Sequence, residues 1–415
     1  MPDTRPTLTA AESAALTHVV RSPALLLRES LAGVITALAL IPEVISFSVI
    51  AGVDPKVSLI ASVVLCLAMS VLGGRPAMVT AAAGSVALVI GPMVHQHGVG
   101  YILPAVVMAG VIQVAFGLLG MAKLMRHIPQ AVMTGFVNAL GILIFFAQVP
   151  HFWSKNPLIL ALFAATLLIV LWAPRVIKSI PSPLIAIVLL TLYTVFSGQI
   201  LPTVGDEGSM GGGLPGLTEL QVPLNLQTLQ IIWPCALSIA FVGLMESLLT
   251  AKLVDDLTVT PSNKTRESAG LGFANILAGF YGGIAGCAMI GQTIVNVEMG
   301  KGRSRLSTLV AGLVLLLLVT GLSQVMAKIP MAVLAGIMAI VAVKTFSWHS
   351  IQPSALKQMP WSATLVMLAT VVATVGTGNL AIGVLAGISL LALVPRHIRK
   401  RHALKAETPS PGQGK

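Results

Sequence analysis

Charge is scarce in this chain. Only 9% of its 415 residues are Asp, Glu, Lys or Arg, against about 25% in soluble domains. With 56% hydrophobic residues, so few charges cannot cover a water-facing surface, which excludes a soluble globular protein and leaves one whose surface faces lipid. Cysteine is nearly absent too. Cys66, Cys235 and Cys287 are odd in number, lie in apolar stretches and lack metal-ligand spacing. They read as small buried hydrophobes, not as a disulfide framework or metal site. No His-Glu-x-x-His, no Gly-x-Gly-Asp and no Ser–His pair falls within the apolar spans, so an intramembrane enzyme is not expected. Residues 1–25 are polar and mixed, with no cleavable signal evident. The net charge of +11 does not point to nucleic acid, because the basic residues sit in short loops and at the two ends.

What is present is a succession of apolar segments. Fourteen are read, at 28–50, 57–72, 80–93, 99–121, 129–149, 157–173, 181–198, 229–252, 265–281, 288–299, 305–327, 329–344, 360–376 and 379–395. They predict an all-α polytopic membrane protein. An even number puts both termini on one side. With that side cytoplasmic, 22 Lys and Arg face inward and only Lys56, Lys155 and Lys328 face outward. That asymmetry is the one a bacterial inner membrane imposes. The longest outer loop, 199–228, holds "GSMGGGLPG", which reads as a flexible connector.

A duplication lies beneath the segments. "HIPQAV" at 127–132 returns as "KIPMAV" at 328–333, "GG" at 73–74 returns at 282–283, and Glu43 has a counterpart in Glu246. Three matches in order suggest two halves of seven segments, and an odd number makes the halves inverted across the membrane. Inverted repeats mark secondary transporters.

Segments three and ten stand apart. "GGRPAMVTAAAGSVALVIGP" and "GGIAGCAMIGQTIVNVEMGKG" each open with glycines and give short helices. The expectation is an extended lead-in followed by a half-helix whose free amides face a cavity, an arrangement that attracts anions. Thr80, Ala83, Gly84 and Ser85 begin one half-helix; Ile290, Gly291, Gln292 and Thr293 begin the other. Glu246 lies four residues before Thr250, which puts a carboxylate and a hydroxyl on one face able to hold a proton or a sodium ion. Glu43 follows Pro42 within an apolar run, where a charged acid costs about 2.5–3.5 kcal/mol on insertion scales. Phe47 lies one turn later on the same face. Asp255 and Asp256 are expected to pair with Lys252 and Lys264, and Glu298 with Lys301 and Arg303. His95 and His97 are expected in an outer loop.

At these residues the chain resembles the SulP family of anion transporters, over about 25–395. "RESLAGVITALALIPEVISFSVIAGVDPKVSLIAS" looks like that family's first helix and loop, and "NKTRESAGLGFANILAGFYGGIAGCAMIGQTIVN" like its eighth-to-tenth helix region. The resemblance implies a seven-plus-seven inverted repeat with an anion held between half-helices three and ten. It further implies a core of 26–122 and 229–327 that moves like an elevator against a gate of 123–198 and 328–396, commonly in a homodimer. Residues 1–25 are then a cytoplasmic arm, 199–228 an external loop and 397–415 a basic tail. Glutamate stands at position 43 where the family usually has glutamine, and Gln292 where many members have arginine. The family's STAS domain is not within these residues.

Together these departures favour cation-coupled symport, with a proton preferred, of a small anion such as bicarbonate, sulfate or a short dicarboxylate. The alternatives are a sodium-coupled bicarbonate symporter, a nucleobase permease of the same fold, and an anion channel. The nucleobase class normally carries a carboxylate where Gln292 stands. No cofactor is expected beyond the co-transported proton or sodium ion. The expected partners are the anion, the lipid bilayer and a second copy, not nucleic acid. Tags at both ends should be protease-accessible only from the cytoplasmic face of inverted vesicles; protection of either end would overturn the segment count.

Overall fold

The computed structural model describes residues 22–120, 129–153, 156–177, 182–208 and 216–393. The N-terminal arm before residue 22, the basic tail, Lys123, Arg126, Lys155, Lys178, His127, Ile128 and the centre of the glycine-rich connector lie outside them. Fourteen helices answer the fourteen expected segments. They are α1 (Pro23–Ala51), α2 (Pro55–Leu72), α3 (Gly84–His97), α4 (Ile102–Leu118), α5 (Gln130–Phe152), α6 (Pro157–Val176), α7 (Ser182–Ser197), α8 (Leu226–Thr258), α9 (Lys264–Phe280), α10 (Ile290–Ile294), α11 (Arg305–Met326), α12 (Met331–Thr345), α13 (Trp361–Thr377) and α14 (Leu380–Leu393). Seven of them, α1, α2, α4 with its lead-in turn, α5, α6, α8 and α11, are long and apolar enough to cross a membrane, and α7, α12, α13 and α14 are shorter apolar helices.

Local chemistry sets the helix ends. α1, α2 and α6 begin on proline, whose fixed φ suits a first turn and whose missing N–H is no loss there. Asn156, Asn225 and Asn263 cap α6, α8 and α9 by accepting from the amides of Leu158, Thr228 and Arg266 at 3.0, 2.8 and 2.9 Å. α1 runs unbroken through Pro42 and stops at Gly52, in the left-handed conformation at φ 70°, with the Val53 amide reaching back to Ser48 O at 3.0 Å.

Two strands separate the short helices from what precedes them. β1 (Thr80–Ala82) and β2 (Gly286–Ala288) pair antiparallel, Thr80 opposite Ala288, Ala81 opposite Cys287 and Ala82 opposite Gly286. This corrects two boundaries. Helix three, expected from residue 80, begins at Gly84. Helix ten, expected over 288–299, is α-helical only over Ile290–Ile294 and continues as a π-helical stretch, Val295–Met299. Strand pairing claims the residues between, and nothing local in "TAA" or "GCA" announces a partner about two hundred residues away.

The chain divides into two compact units at residues 126/127, 143/144 and 340/341. This grouping cuts elsewhere than the expected core and gate boundaries. Within the larger unit, Ala61, Leu65 and Met69 of α2 pack against Leu244 of α8 and Leu271, Ala274 and Ala278 of α9. α4 and α9 touch backbone to backbone at Gly110 and Gly272, where a Cβ on either would come within 2.6 Å of the other's carbonyl oxygen. Within the smaller unit, Asn138 of α5 donates to Ser350 Oγ at 2.9 Å and accepts from the Ser347 amide at 2.8 Å.

Two buried acids stitch the helix ends of the larger unit. Glu29 of α1 accepts from the Arg303 and Ser304 amides at 2.9 and 3.0 Å and from Ser304 Oγ at 2.8 Å, ahead of α11. Glu267 of α9 accepts from the Gly74 and Arg75 amides at 2.7 and 3.2 Å. Beside it, Arg266 donates to Val71 and Leu72 carbonyls at 2.7 and 3.1 Å, and Arg305 reaches Ser70 O at 3.1 Å. Two cations thus cap the negative end of α2. Replacing Glu29 by Ala strands two amides and a hydroxyl, and should cost on the order of 1–3 kcal/mol. A detergent melt should show it as a lower Tm, and an unchanged Tm would remove the cap from the account.

Candidate functional site

The site grows from the need to complete two strands that have no sheet around them. Alternate residues of an antiparallel pair turn their backbone groups outward, and buried amides and carbonyls without partners are costly. Side chains of three helices supply the partners. From α2, Ser62 Oγ accepts from the Ala82 amide at 3.1 Å and Cys66 Sγ donates to Thr80 O at 3.1 Å. From α8, Ser247 Oγ accepts from the Ala288 amide and Thr250 Oγ1 donates to Ala288 O, each at 2.9 Å. From α9, Asn275 accepts from the Gly286 amide at 2.8 Å and donates to Gly286 O at 3.1 Å. The small polar residues of these apolar helices therefore sit where the strand edges require them.

At the start of α3, the Ser85 hydroxyl donates to Glu246 Oε2 of α8, and Ser85 Oγ lies 3.8 Å from Cys287 Sγ of β2. All three residues are buried. Thr250, expected to share a face with Glu246, uses its hydroxyl proton on carbonyls, those of Ala288 and of Glu246 at 2.9 Å. Phe47 is buried and lays its ring on Gly84, where a Cβ would meet Phe47 Cε1 at 2.5 Å. Glu43, one turn earlier on α1, is half-buried. Thr293 accepts from the Val79 amide at 3.0 Å, a packing bond from the first lead-in to α10. Thr80 Oγ1 and Gln292 Oε1 are buried without a hydrogen-bond partner, oxygens with capacity to spare. Ala83 is buried and Ile290 half-buried. Gly291 is exposed, and a Cβ there would meet nothing within 4 Å.

Other expectations are revised. Asp255 pairs with Lys264 at 3.3 Å, but its second partner is Arg75, also at 3.3 Å, and among the described residues Asp256 and Lys252 form no ion pair. Arg75 is buried and also donates to Thr260 O at 2.9 Å and to the Thr258 hydroxyl. Burial lowers its pKa, Asp255 opposes the shift and Arg303 adds to it. Glu298 forms no ion pair with Lys301 or Arg303; Arg303 donates instead to Val297 O at 2.7 Å. His95 and His97 are exposed, and the three cysteines are free and buried.

Sequence reasoning missed Glu29, Glu267, Gln113, Ser62 and Ser247. A signal for the acids existed. Arg-Glu-Ser occurs at 28–30 and again at 266–268, each time at the mouth of an apolar segment. The strand-edge residues carried no comparable mark.

Apolar helices enclosing a polar cluster at the starts of two short helices define a membrane transport protein. The sequence matches the Sulfate permease family over residues 26–156 and 152–370, and the chain belongs to that family, one of anion transporters and not of enzymes. It is 48% identical to "Putative sulfate transporter YbaR" of Bacillus subtilis (strain 168), over 88% of this chain and 76% of that protein. It is 29% identical to "Bicarbonate transporter BicA" of Picosynechococcus sp. (strain ATCC 27264 / PCC 7002 / PR-6), over 85% of this chain and 69% of that one. The solved transmembrane domain of a cyanobacterial BicA superposes with a TM-score of 0.77 at 27% identity, covering 87% of this chain and 97% of that one. SLC26A9 shares the fold, with a TM-score of 0.78 at 15% identity, over 94% of this chain and 67% of its own.

Two glycines at the short-helix starts should behave oppositely. Gly84→Ala drives a methyl into the Phe47 ring and should destabilise by about 1–3 kcal/mol, whereas Gly291→Ala meets open space and should melt like wild type. Equal Tm values for the two would contradict the geometry.

Proposed function

We propose that the chain is a secondary active transporter that moves a small anion such as bicarbonate, sulfate or a short dicarboxylate together with a cation, a proton foremost. The anion sits between the starts of α3 and α10, read as half-helices, against Phe47, Thr80, Ala83, Gly84, Ser85, Ile290, Gly291, Gln292 and Thr293. Glu43 and Glu246 carry the coupled cation. The observation that carries this reading is Glu246: a buried acid, bonded to Ser85 at a short-helix start, that forms no ion pair with Lys or Arg among the described residues. A bare charge at that depth is expensive. A bound proton removes it, and the anion then enters a site free of a repelling carboxylate. Gln292 supplies no fixed positive charge, so the co-bound cation provides the balance.

The matching spacings of the sequence repeat and the antiparallel pairing of the two lead-ins support two inverted halves. On this reading segments 1–4 and 8–11 form a core, 5–7 and 12–14 a gate, and the core moves past the gate as an elevator. The protein works in the cytoplasmic membrane as a homodimer, with both termini in the cytoplasm. Sodium in place of the proton is favoured by one observation. Thr250 Oγ1, Ala288 O and Glu246 O lie together beside the acid, the oxygen ligands a hard cation prefers.

Uptake of labelled bicarbonate, sulfate and succinate into proteoliposomes, under imposed proton or sodium gradients, tests the proposal. One anion should accumulate against its gradient when the coupling cation runs inward. Glu246→Gln should cut gradient-driven uptake by about tenfold or more, equivalent to about 1.4 kcal/mol, and Glu43→Gln should weaken proton coupling while leaving binding. Uptake indifferent to both gradients, or full coupling in Glu246→Gln, would sink it.

A further inference from the structure

We propose that Asn275, oriented by Gln113, is the positioning residue of the anion site. Its carboxamide serves β2 as a third strand and thereby fixes where α10 begins. The inference rests on the proposed function only in taking the α10 start as part of the anion site.

Asn275 is fully buried on α9, so it does not touch an anion. Its Oδ1 accepts from the Gly286 amide at 2.8 Å, while Nδ2 donates to Gly286 O at 3.1 Å and to Gln113 Oε1 of α4 at 2.8 Å. A carboxamide is peptide-like, with a donor and an acceptor side by side. Asp lacks the donor and an aliphatic side chain lacks both. The Gly286 amide requires Oδ1 on its side, so Nδ2 faces Gly286 O and Gln113, and the orientation is unique.

Gly286 is four residues before Ile290. Its outward edge is held by Asn275 from α9, while Ala288 is held from α8. The inward side leaves no slack, because a Cβ on Gly286 would meet Ala81 O at 2.2 Å and Leu65 Cδ1 at 2.5 Å. β2 is thus gripped between β1 and a side chain. Gln113 also lies against the acid's helix without bonding to it. Its Nε2, buried and unpartnered, would lie 3.0 Å from a Cβ on Gly243, three residues before Glu246.

The test uses the full chain with a reporter Gly291→Cys, placed in open space, and a control Gly216→Cys, which also meets nothing within 4 Å. The three natural cysteines are buried. Labelling rates with a methanethiosulfonate probe are read in Asn275→Asp, beside KM and Vmax for anion uptake in liposomes. Asn275→Asp should change labelling at 291 by about fivefold or more, leave 216 unchanged and raise KM by about tenfold with Vmax kept within about twofold, as expected for losing the two buried hydrogen bonds that Nδ2 donates. Unchanged labelling at 291, or a lower Tm with KM unmoved, would overturn the proposal. If Asn275→Asp does not fold, Gln113→Leu, which spares both Gly286 bonds, should give a smaller shift in the same two readouts, and none would overturn it equally. If the wild type takes up no anion, the proposed function fails, while labelling at 291 still decides the positioning.

Discussion

Backbone hydrogen bonding in a place without water is the constraint on which this molecule turns. Helices meet it internally, and two extended strands do not. β1 and β2 satisfy half of their groups on one another and leave the rest to side chains from α2, α8 and α9. Ser62, Cys66, Ser247, Thr250 and Asn275 are therefore partners of a backbone that could not otherwise be extended there. In exchange, the helices that follow each strand start deep among their neighbours, with first-turn residues such as Ser85 and Gly291 beside the buried acid or open space.

Charge is distributed by the same logic. The arginines of the larger unit gather where helix ends and carboxylates give them work, Arg266 and Arg305 on the carbonyls ending α2, and Arg75 on Asp255 and the end of α8. Glu267 and Glu29 take loop amides. These contacts hold the frame, although Glu267 Oε1 and Arg75 Nε are buried without a hydrogen-bond partner. Glu246 accepts from the Ser85 hydroxyl and, among the described residues, pairs with no Lys or Arg.

The helical plan was legible in the sequence because a span must be apolar throughout its length. Composition and the sidedness of Lys and Arg therefore yielded fourteen segments, each answered by a helix, although α8 runs on to Thr258 and α10 is α-helical only over Ile290–Ile294. Glu43 and Glu246 were conspicuous as acids in apolar runs. The strands were not, since three small residues have no periodicity and their partner lies in the other half of the chain. Thr250 shows the limit of helical-face arguments. The spacing puts it beside Glu246, but an unseen carbonyl of Ala288 takes its proton. Asn275 stood within the stretch that resembles the family's eighth-to-tenth helix region, yet nothing in that stretch says that its amide replaces a strand.

The pairing of β1 with β2 also bears on how the chain is made. Thr80 and Ala288 are partners, yet about two hundred residues separate them, roughly 10–40 s of synthesis at 5–20 residues per second. Through that interval β1 has left the ribosome and its mate does not exist. Its amides must be sheltered by the insertion machinery or by water at the translocon, and α3 cannot settle beside α8 before α8 arrives. Biogenesis of this protein therefore has a late, long-range closing step.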